Sequence, residues 1–294
     1  AGVWRAVLRP GHDLRRRYGG WAVVTGATDG IGRAYALELA RQGFPVCIVS
    51  RTEAKLKAVA QELRAAGAPE AEYIVMDFGT AGDADWARVA ERLGELDVGL
   101  LVNNVGLSYP HAEYLHNLDA ELVGRLVKIN CLGTTHMTRV ALQGMAGRQQ
   151  RSAVVNVGSG AATVLPTDPL YAVYAASKAY VEKLTATLAV EYQEQKVDFS
   201  LQAPLYVSTK MSQPGRRKTT TFIPSPAAYA QAGLRRVGFE PVCSPYWSHA
   251  LQWAVVSRIP PTQMNNIRLK QTKAIRSKAL KKKARQAAEA AKAS

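Results

Sequence analysis

Long apolar runs are scarce in this chain. The longest, residues 99–105 and the interrupted stretch 246–256, fall well short of the roughly 20 residues needed to span a bilayer, so no transmembrane helix is expected within its 294 residues. The chain begins with Ala1 rather than Met, which leaves room for a targeting or anchoring segment ahead of it. Cysteine is rare as well. Cys47, Cys131 and Cys243 are scattered and odd in number, which argues against a disulfide framework and for a reducing compartment. No Cys and His spacing suits a metal, and none is expected; His12, His111, His116, His136 and His249 show no paired spacing and are read as structural or surface residues. Acidic residues are few at both ends. Residues 1–20 hold five Arg against one Asp, and residues 265–294 hold ten Lys or Arg against one Glu. The net charge of +15 therefore divides into +4 and +9 at the ends and +2 between them. Clustered cations suit an anionic membrane surface or an acidic partner protein, or are simply solvated. Specific nucleic-acid binding is not expected, because the cations are not interleaved with aromatic residues and no recognised module is present.

What remains is an alternation of apolar β-rich runs with helical patterns. Residues 21–25, 45–49, 73–76, 99–103, 153–157 and 199–202 read as strands, most of them unbroken Val/Ile/Leu runs of the kind that helices cover on both faces. Helical patterns fit residues 31–42, 53–66, 83–96, about 121–145, and 172–194. The expected fold class is α/β: a single Rossmann-type, doubly wound parallel sheet with helices on both faces and a basic C-terminal helical tail. The expected organisation is a basic N-terminal segment over 1–20, a nucleotide-binding domain over 21–261 and the tail over 262–294. Within the domain, residues 204–245 interrupt the pattern with Pro204, Pro214, Pro224, Pro226 and Pro241. Ligands of such folds bind outside the carboxyl ends of the strands, so this segment is the expected substrate lid. In the tail, Ile267, Leu269, Ile275 and Leu280 form only a thin apolar stripe.

Four constellations carry chemistry. The first strand runs into Thr25-Gly26-Ala27-Thr28-Asp29-Gly30-Ile31-Gly32 and then a helix, so backbone N–H groups at the helix N-terminus can approach a pyrophosphate without obstruction from a Cβ. The second strand ends in Ser50-Arg51 rather than in the carboxylate usual at NAD sites, and Arg33 follows the glycine turn. Two guanidiniums and no carboxylate favour a 2′-phosphate, hence NADPH. Asn103-Asn104-Val105-Gly106 ends the fourth strand, where a turn can close over the adenine ribose. Finally, Tyr174 and Lys178 lie four apart on one helix face, with Ser159 upstream. An ammonium beside a phenol favours its ionised form, and phenol, ammonium and hydroxyl together suit hydride addition to a ketone, where a developing oxyanion needs a donor and a proton.

The T-G-x-x-x-G-x-G turn, the N-N-x-G and the Y-x-x-x-K, in this order, resemble the short-chain dehydrogenase/reductase family over roughly residues 20–260. The resemblance implies that Tyr174 is the general acid, that Lys178 lowers its pKa and holds the nicotinamide ribose, that Ser159 polarises the carbonyl and that Asn130 carries a water in the proton relay. It implies that Asp77 touches the adenine, that Thr209 meets the nicotinamide carboxamide, and that Thr28, Asp29, Ile31, Pro204 and Val207 complete the cofactor contacts. Ser159 precedes Tyr174 by fifteen residues, longer than usual in the family, so the loop through Pro166, Thr167, Asp168 and Pro169 is expected to bulge. Tyr171 has no lysine four beyond it and is assigned to packing or substrate contact. Three longer runs, 21–26, 103–109 and 206–211, are similar to the very-long-chain 3-oxoacyl-CoA reductase and 17β-hydroxysteroid dehydrogenase branch, whose members are mostly endoplasmic-reticulum membrane enzymes using NADPH. That likeness implies reduction of a 3-oxoacyl-CoA in fatty-acid elongation, with a steroid or other lipophilic ketone as the alternative substrate. Arg216, Arg217 and Lys218 would then meet coenzyme A phosphates, or form a solvated basic loop. It also implies location at the endoplasmic-reticulum membrane with the reductase domain on the cytosolic side, or at a mitochondrial or other organelle membrane. A homo-oligomer, or a reductase-fold subunit docked through its basic ends into a larger membrane-associated assembly, is the expectation from a different class.

Overall fold

The structure, a computed structural model, describes residues 9–212 and 218–293. Its frame is a sheet of β1 (Trp21–Thr25), β2 (Val46–Ser50), β3 (Ala71–Val75), β4 (Val98–Asn103), β5 (Ser152–Val157), β6 (Val197–Gln202) and β7 (Val242–Cys243). All pairings are parallel, in the order β3-β2-β1-β4-β5-β6-β7. Successive side chains of a strand face opposite ways, so each strand feeds two cores. In β1, Ala22 and Val24 join one core with Leu39, Leu56 and Tyr229, while Val23 joins the other with Cys47, Leu101 and Met137. Burial on both faces is why these strands read as unbroken apolar runs.

The crossover helices are α2 (Gly30–Arg41), α3 (Glu53–Ala65), α4 (Asp83–Gly94), α5 (Ala120–Val127), α6 (Thr134–Met145) and α8 (Ala172–Glu191), preceded by α1 (Leu14–Tyr18). Between β5 and α8 stands the single turn α7 (Gly160–Thr163); α9 (Pro226–Leu234), α10 (Trp247–Val256) and α11 (Pro261–Ala293) follow β6. The helix expected over about 121–145 is broken by a π segment, Lys128–Gly133. Wide turns of this kind recur at functional sites, and this one carries Asn130. No helix among the described residues is long and apolar enough to cross a membrane.

Three expectations are corrected. The lid expected over 204–245 is scaffold in its second half. Ser225 caps α9, accepting from the Ala228 N–H at 3.2 Å, and Pro226 stands in its first turn, so a proline that looks like a breaker starts a helix. Tyr229, Ala230 and Leu234 are buried, α9 packs on α2, and β7 adds an edge strand. Next, the tail is docked over its first turns, along a seam that the thin apolar stripe does not mark. Ile267 and Leu280 are exposed, whereas Met264, Arg268 and Thr272 are buried. Last, the terminal cations are partly spent on the body. Arg9 pairs with Glu240, Arg17 and Arg151 share Asp198, Arg268 pairs with Asp168 and Arg276 with Glu113.

The α9–α2 contact is tight enough to test. A Cβ on Gly233 would lie 1.9 Å from Tyr35 Oη and 2.4 Å from Gln202 Oε1, while the Gln202 amide donates to Gly233 O at 2.8 Å. Gly233→Ala is expected to lower unfolding stability by about 1–3 kcal/mol in urea titrations, as overpacking does. Unchanged stability would mean that residues 226–234 behave as the lid the sequence suggests.

Candidate active site

The end of β1 and the end of β4 are stitched together. Thr25 Oγ1 accepts from the backbone N–H groups of Asn104 and Val105 at 3.0 and 3.1 Å, and Asn104 Nδ2 donates to Thr25 O and Gly26 O, each at 3.2 Å. The close approach dictates the glycines. Gly26 has φ +63°, in the region where a Cβ is strained. A Cβ on Gly32 would lie 2.3 Å from Asn104 Nδ2 and 2.4 Å from Gly26 O. Asp29 caps α2, its carboxylate accepting from the Gly30 N–H at 2.8 Å.

A cavity of about 380 Å³ opens from this junction. Of the residues singled out in the sequence, Gly26, Thr28, Asp29, Gly30, Ile31, Ser50, Arg51, Asp77, Asn104, Val105, Gly106, Tyr174, Lys178, Pro204 and Thr209 line it. Six others do not. Gly32 lies under the turn, and Val207 is buried in the core. Arg33 is turned away to Glu62, with Nε donating at 2.8 Å, which corrects its assignment to a 2′-phosphate. Asn103 is buried, its amide donating to Thr138 Oγ1 and Asn156 Oδ1 at 2.9 Å each, so it ties β4 to β5 rather than covering a ribose. Arg51, by contrast, is exposed at the rim and makes no ion pair among the described residues. The sequence reading did not single out Met76, Leu107, Arg125, Ile129 or Lys210, which also line the cavity. Lys210 reaches Asp29 across the mouth at 2.7 Å; its one signal was its place after β6, at the same sheet edge as the glycine turn.

Asn130 and Ser159, the remaining two, stand behind the wall. Asn130 is fully buried. Its Oδ1 accepts from Leu107 N–H at 2.8 Å, and its Nδ2 donates to Leu107 O and Ser177 Oγ at 2.9 Å each. With its amide so used, it fixes the 107 loop to α8. Ser159 opens α7 as its cap, accepting from Ala161 N–H at 3.2 Å, and its hydroxyl also bonds to the Tyr174 phenol.

Burial governs the titrating groups. It pushes the Tyr174 phenol above its ordinary range; the Ser159 bond pulls it back and the Asp168 charge pushes it further up. Burial likewise pulls the Lys178 ammonium down to about 8, and Nζ donates to Val157 O at 3.0 Å. The ammonium is thus held by a strand carbonyl, while the Ser159 hydrogen bond lowers Tyr174 against the effect of burial. Tyr171 packs beside Tyr109, ring centres 5.3 Å apart, and burial raises its phenol to about 12. The expected bulge before α8 is real: Leu170 takes φ +66° and Asp168 is buried. Arg216 and Arg217 lie outside the described residues, and Lys218 is exposed.

With this geometry in place, comparison with known proteins is informative. The family model for short chain dehydrogenases matches residues 20–220. The chain is 41% identical to a very-long-chain 3-oxoacyl-CoA reductase-like protein of Arabidopsis thaliana, over 86% of this chain and 81% of that one. It is 36% identical to the inactive hydroxysteroid dehydrogenase-like protein 1 of Homo sapiens, over 84% of this chain and 74% of that one. Among solved structures, a short-chain dehydrogenase from Sphingobium yanoikuyae in complex with NADPH superposes with a TM-score of 0.67 at 27% identity, covering 80% of this chain and 91% of that chain.

The Lys178 shift has a sign that can be measured. Its value in the fold, about 8, lies below the ordinary 10.5, so the charged form is disfavoured there. The burial penalty is fully present below pH 8 and is relieved as pH rises from 8 through 10.5. Lys178→Met should therefore stabilise the unliganded protein by on the order of 3 kcal/mol at pH 7, an advantage that fades by about pH 10.5. Urea unfolding at both pH values checks this; a pH-independent difference between the two proteins would refute it.

Proposed function

The chain belongs to the short-chain dehydrogenase family, and from that premise we propose that it is an NADPH-dependent reductase converting a very-long-chain 3-oxoacyl-CoA to the 3-hydroxyacyl-CoA. The carrying observation is that Tyr174 and Lys178 line the same cavity as the glycine turn, with Ser159 bonded to the phenol. The residues present fit a dinucleotide. The bare backbone at Gly26 and Gly32 forms a cradle that a Cβ would fill, at the N-terminus of α2 where a phosphate is favoured. At the end of β2, Ser50 and the unpaired Arg51 replace the carboxylate that would read a 2′-hydroxyl, which supports NADPH. Bound NADPH supplies the hydride.

The chain's own residues do the rest. Tyr174 Oη gives its proton to the carbonyl oxygen as negative charge develops there, and its raised pKa keeps that proton on the phenol near neutral pH. Ser159 Oγ, fixed in advance by its place at the start of α7, hydrogen-bonds the phenol and steadies the negative charge left there as the proton departs. Lys178 lines the same cavity and, with its ammonium pulled down to about 8, keeps a positive charge near neutral pH where little water screens it.

A long acyl chain suits the mouth. Met211 lines the cavity and remains exposed, and Tyr206 and Phe222 are exposed nearby in the chain. Apolar surface of this kind is covered when a lipid chain lies across it. The name of the Arabidopsis relative supports the same substrate class. The human relative named as inactive favours a second reading, a reductase-fold protein without turnover, against which stand the Tyr174, Lys178 and Ser159 of this chain.

Purified protein should consume NADPH with a long-chain 3-oxoacyl-CoA, and Tyr174→Phe should lower kcat by about 10²–10⁴. Measurable NADPH binding without turnover on this substrate or on steroid ketones would support the second reading instead. For the cofactor, Arg51→Asp should move kcat/KM toward NADH by about tenfold or more, the worth of one charge-assisted phosphate contact. No shift would make Arg51 a bystander at the rim.

A further inference from the structure

The densest set of buried charges outside the cavity lies where α11 meets the two loops behind Tyr174. Arg268 Nε donates to Asp168 Oδ1 at 2.7 Å, with the side chains 11% and 4% exposed. On one side of that pair, Thr167 Oγ1 donates to Asn265 Oδ1 at 2.7 Å; on the other, Arg276 Nε donates to Glu113 Oε1 at 2.6 Å. Residues 265, 268, 272 and 276 follow helical spacing, so these ties fall along one stripe of α11. Arg268 also hydrogen-bonds the Tyr206 side chain, in the loop that follows β6.

The loop held this way joins Ser159 to Tyr174. Asp168 O accepts from Tyr171 N–H at 3.1 Å, just ahead of the first turn of α8. Leu170 holds a left-handed φ of +66°, a conformation that a branched residue keeps only when its surroundings over-determine it. Those surroundings are on the page: Leu170 O accepts from Glu113 N–H at 3.0 Å, and Glu113 is itself held by Arg276. A buried carboxylate such as Asp168 also needs its partner; without Arg268 it must find water or take up a proton, and either pulls the loop open.

We infer that Arg268 is a positioning residue for the reduction: through Asp168 it locks the 164–171 loop so that Tyr174 and Ser159 stay in register, which makes α11 part of the catalytic apparatus. The inference rests on the reductase reading, though not on the identity of the ketone. A displacement of about 1 Å at a proton donor can cost about a hundredfold in rate, so the lock is sufficient to matter.

The test compares the full-length protein with Arg268→Met and Arg268→Lys. Amide hydrogen exchange is followed at residues 169–176 and in β5, alongside NADPH affinity by fluorescence and kcat and KM for the 3-oxoacyl-CoA. In Arg268→Met, exchange at 169–176 should quicken at least about tenfold and kcat should fall about 10- to 100-fold, while NADPH affinity, KM and β5 exchange stay within about threefold. Arg268→Lys, which keeps the charge and loses the planar fork, should recover most of kcat. The inference is overturned by kcat within twofold of wild type in Arg268→Met, or by losses in NADPH affinity and β5 protection that parallel the loss in kcat. Should Arg268→Met not fold, Arg268→Lys alone decides, since local exchange at 169–176 identical to wild type together with a reduced kcat would overturn it. A wild-type protein that reduces no ketone would defeat the substrate reading, and the exchange comparison would still judge the lock.

Discussion

The junction between β1 and β4 is the constraint from which the site follows. At this point the strand order reverses, so the crossover helices leave on opposite faces and a crevice opens at the carboxyl ends. Two strand ends brought so close present backbone groups that must be paired. Thr25 and Asn104 pair them, and the space left is so small that Gly26 and Gly32 admit no side chain. The bare backbone beside the N-terminus of α2, on which a phosphate can rest, is thus a by-product of joining the two halves of the sheet.

Electrostatic tension at the other end of the cavity has the same origin. Lys178 is buried on α8, which packs against β6, and Val157 O at the end of β5 is the partner within its reach. The fold holds an ammonium where its charge is disfavoured, a stability cost of the kind common at working sites. The Tyr174 phenol is pushed the opposite way by the same burial. One low-dielectric pocket therefore keeps the proton on the phenol and loosens the proton on the amine, which suits a proton donor backed by a tunable cation.

Much of this was legible in the sequence, for a physical reason. Strands buried on both faces are mainly apolar, their few polar side chains paired with one another as Asn103 is with Asn156, so β1, β4 and β5 read as apolar runs, and the glycine turn and Tyr174-to-Lys178 spacing mark the two ends of the cavity. What escaped was whatever depends on partners distant in sequence. Arg33 looks like a phosphate ligand until Glu62, on α3, is seen to hold it. Asn130 shows no sign in the sequence that Leu107 and Ser177 fill its amide. Pro226 looks like a break in structure unless Ser225 is recognised as a cap. In α11 Ile267 is exposed while its neighbour Arg268 is buried; hydrophobic periodicity has no way to register a seam made of a salt bridge.

That seam changes how the basic C-terminus should be understood. Counted as composition, residues 265–294 are a +9 tail attached to a nearly neutral body. Counted as structure, their first turns supply the counter-charges that let Asp168 and Glu113 exist where they do. Arg276 draws the Glu113 carboxyl down to about 2, so this tie is charged on both sides throughout the physiological range and yields only in strong acid. The two pairs are separated by two helical turns and grip successive loops, so shifting one without the other would require α11 to bend. A rigid helix bridging two loops transmits position from one to the other better than either loop could alone. The division of α11 into a docked first part and an exposed cationic stretch then follows from chemistry: the body offers Asp168 and Glu113, and beyond Arg276 Lys278, Lys281, Lys282 and Lys283 meet solvent.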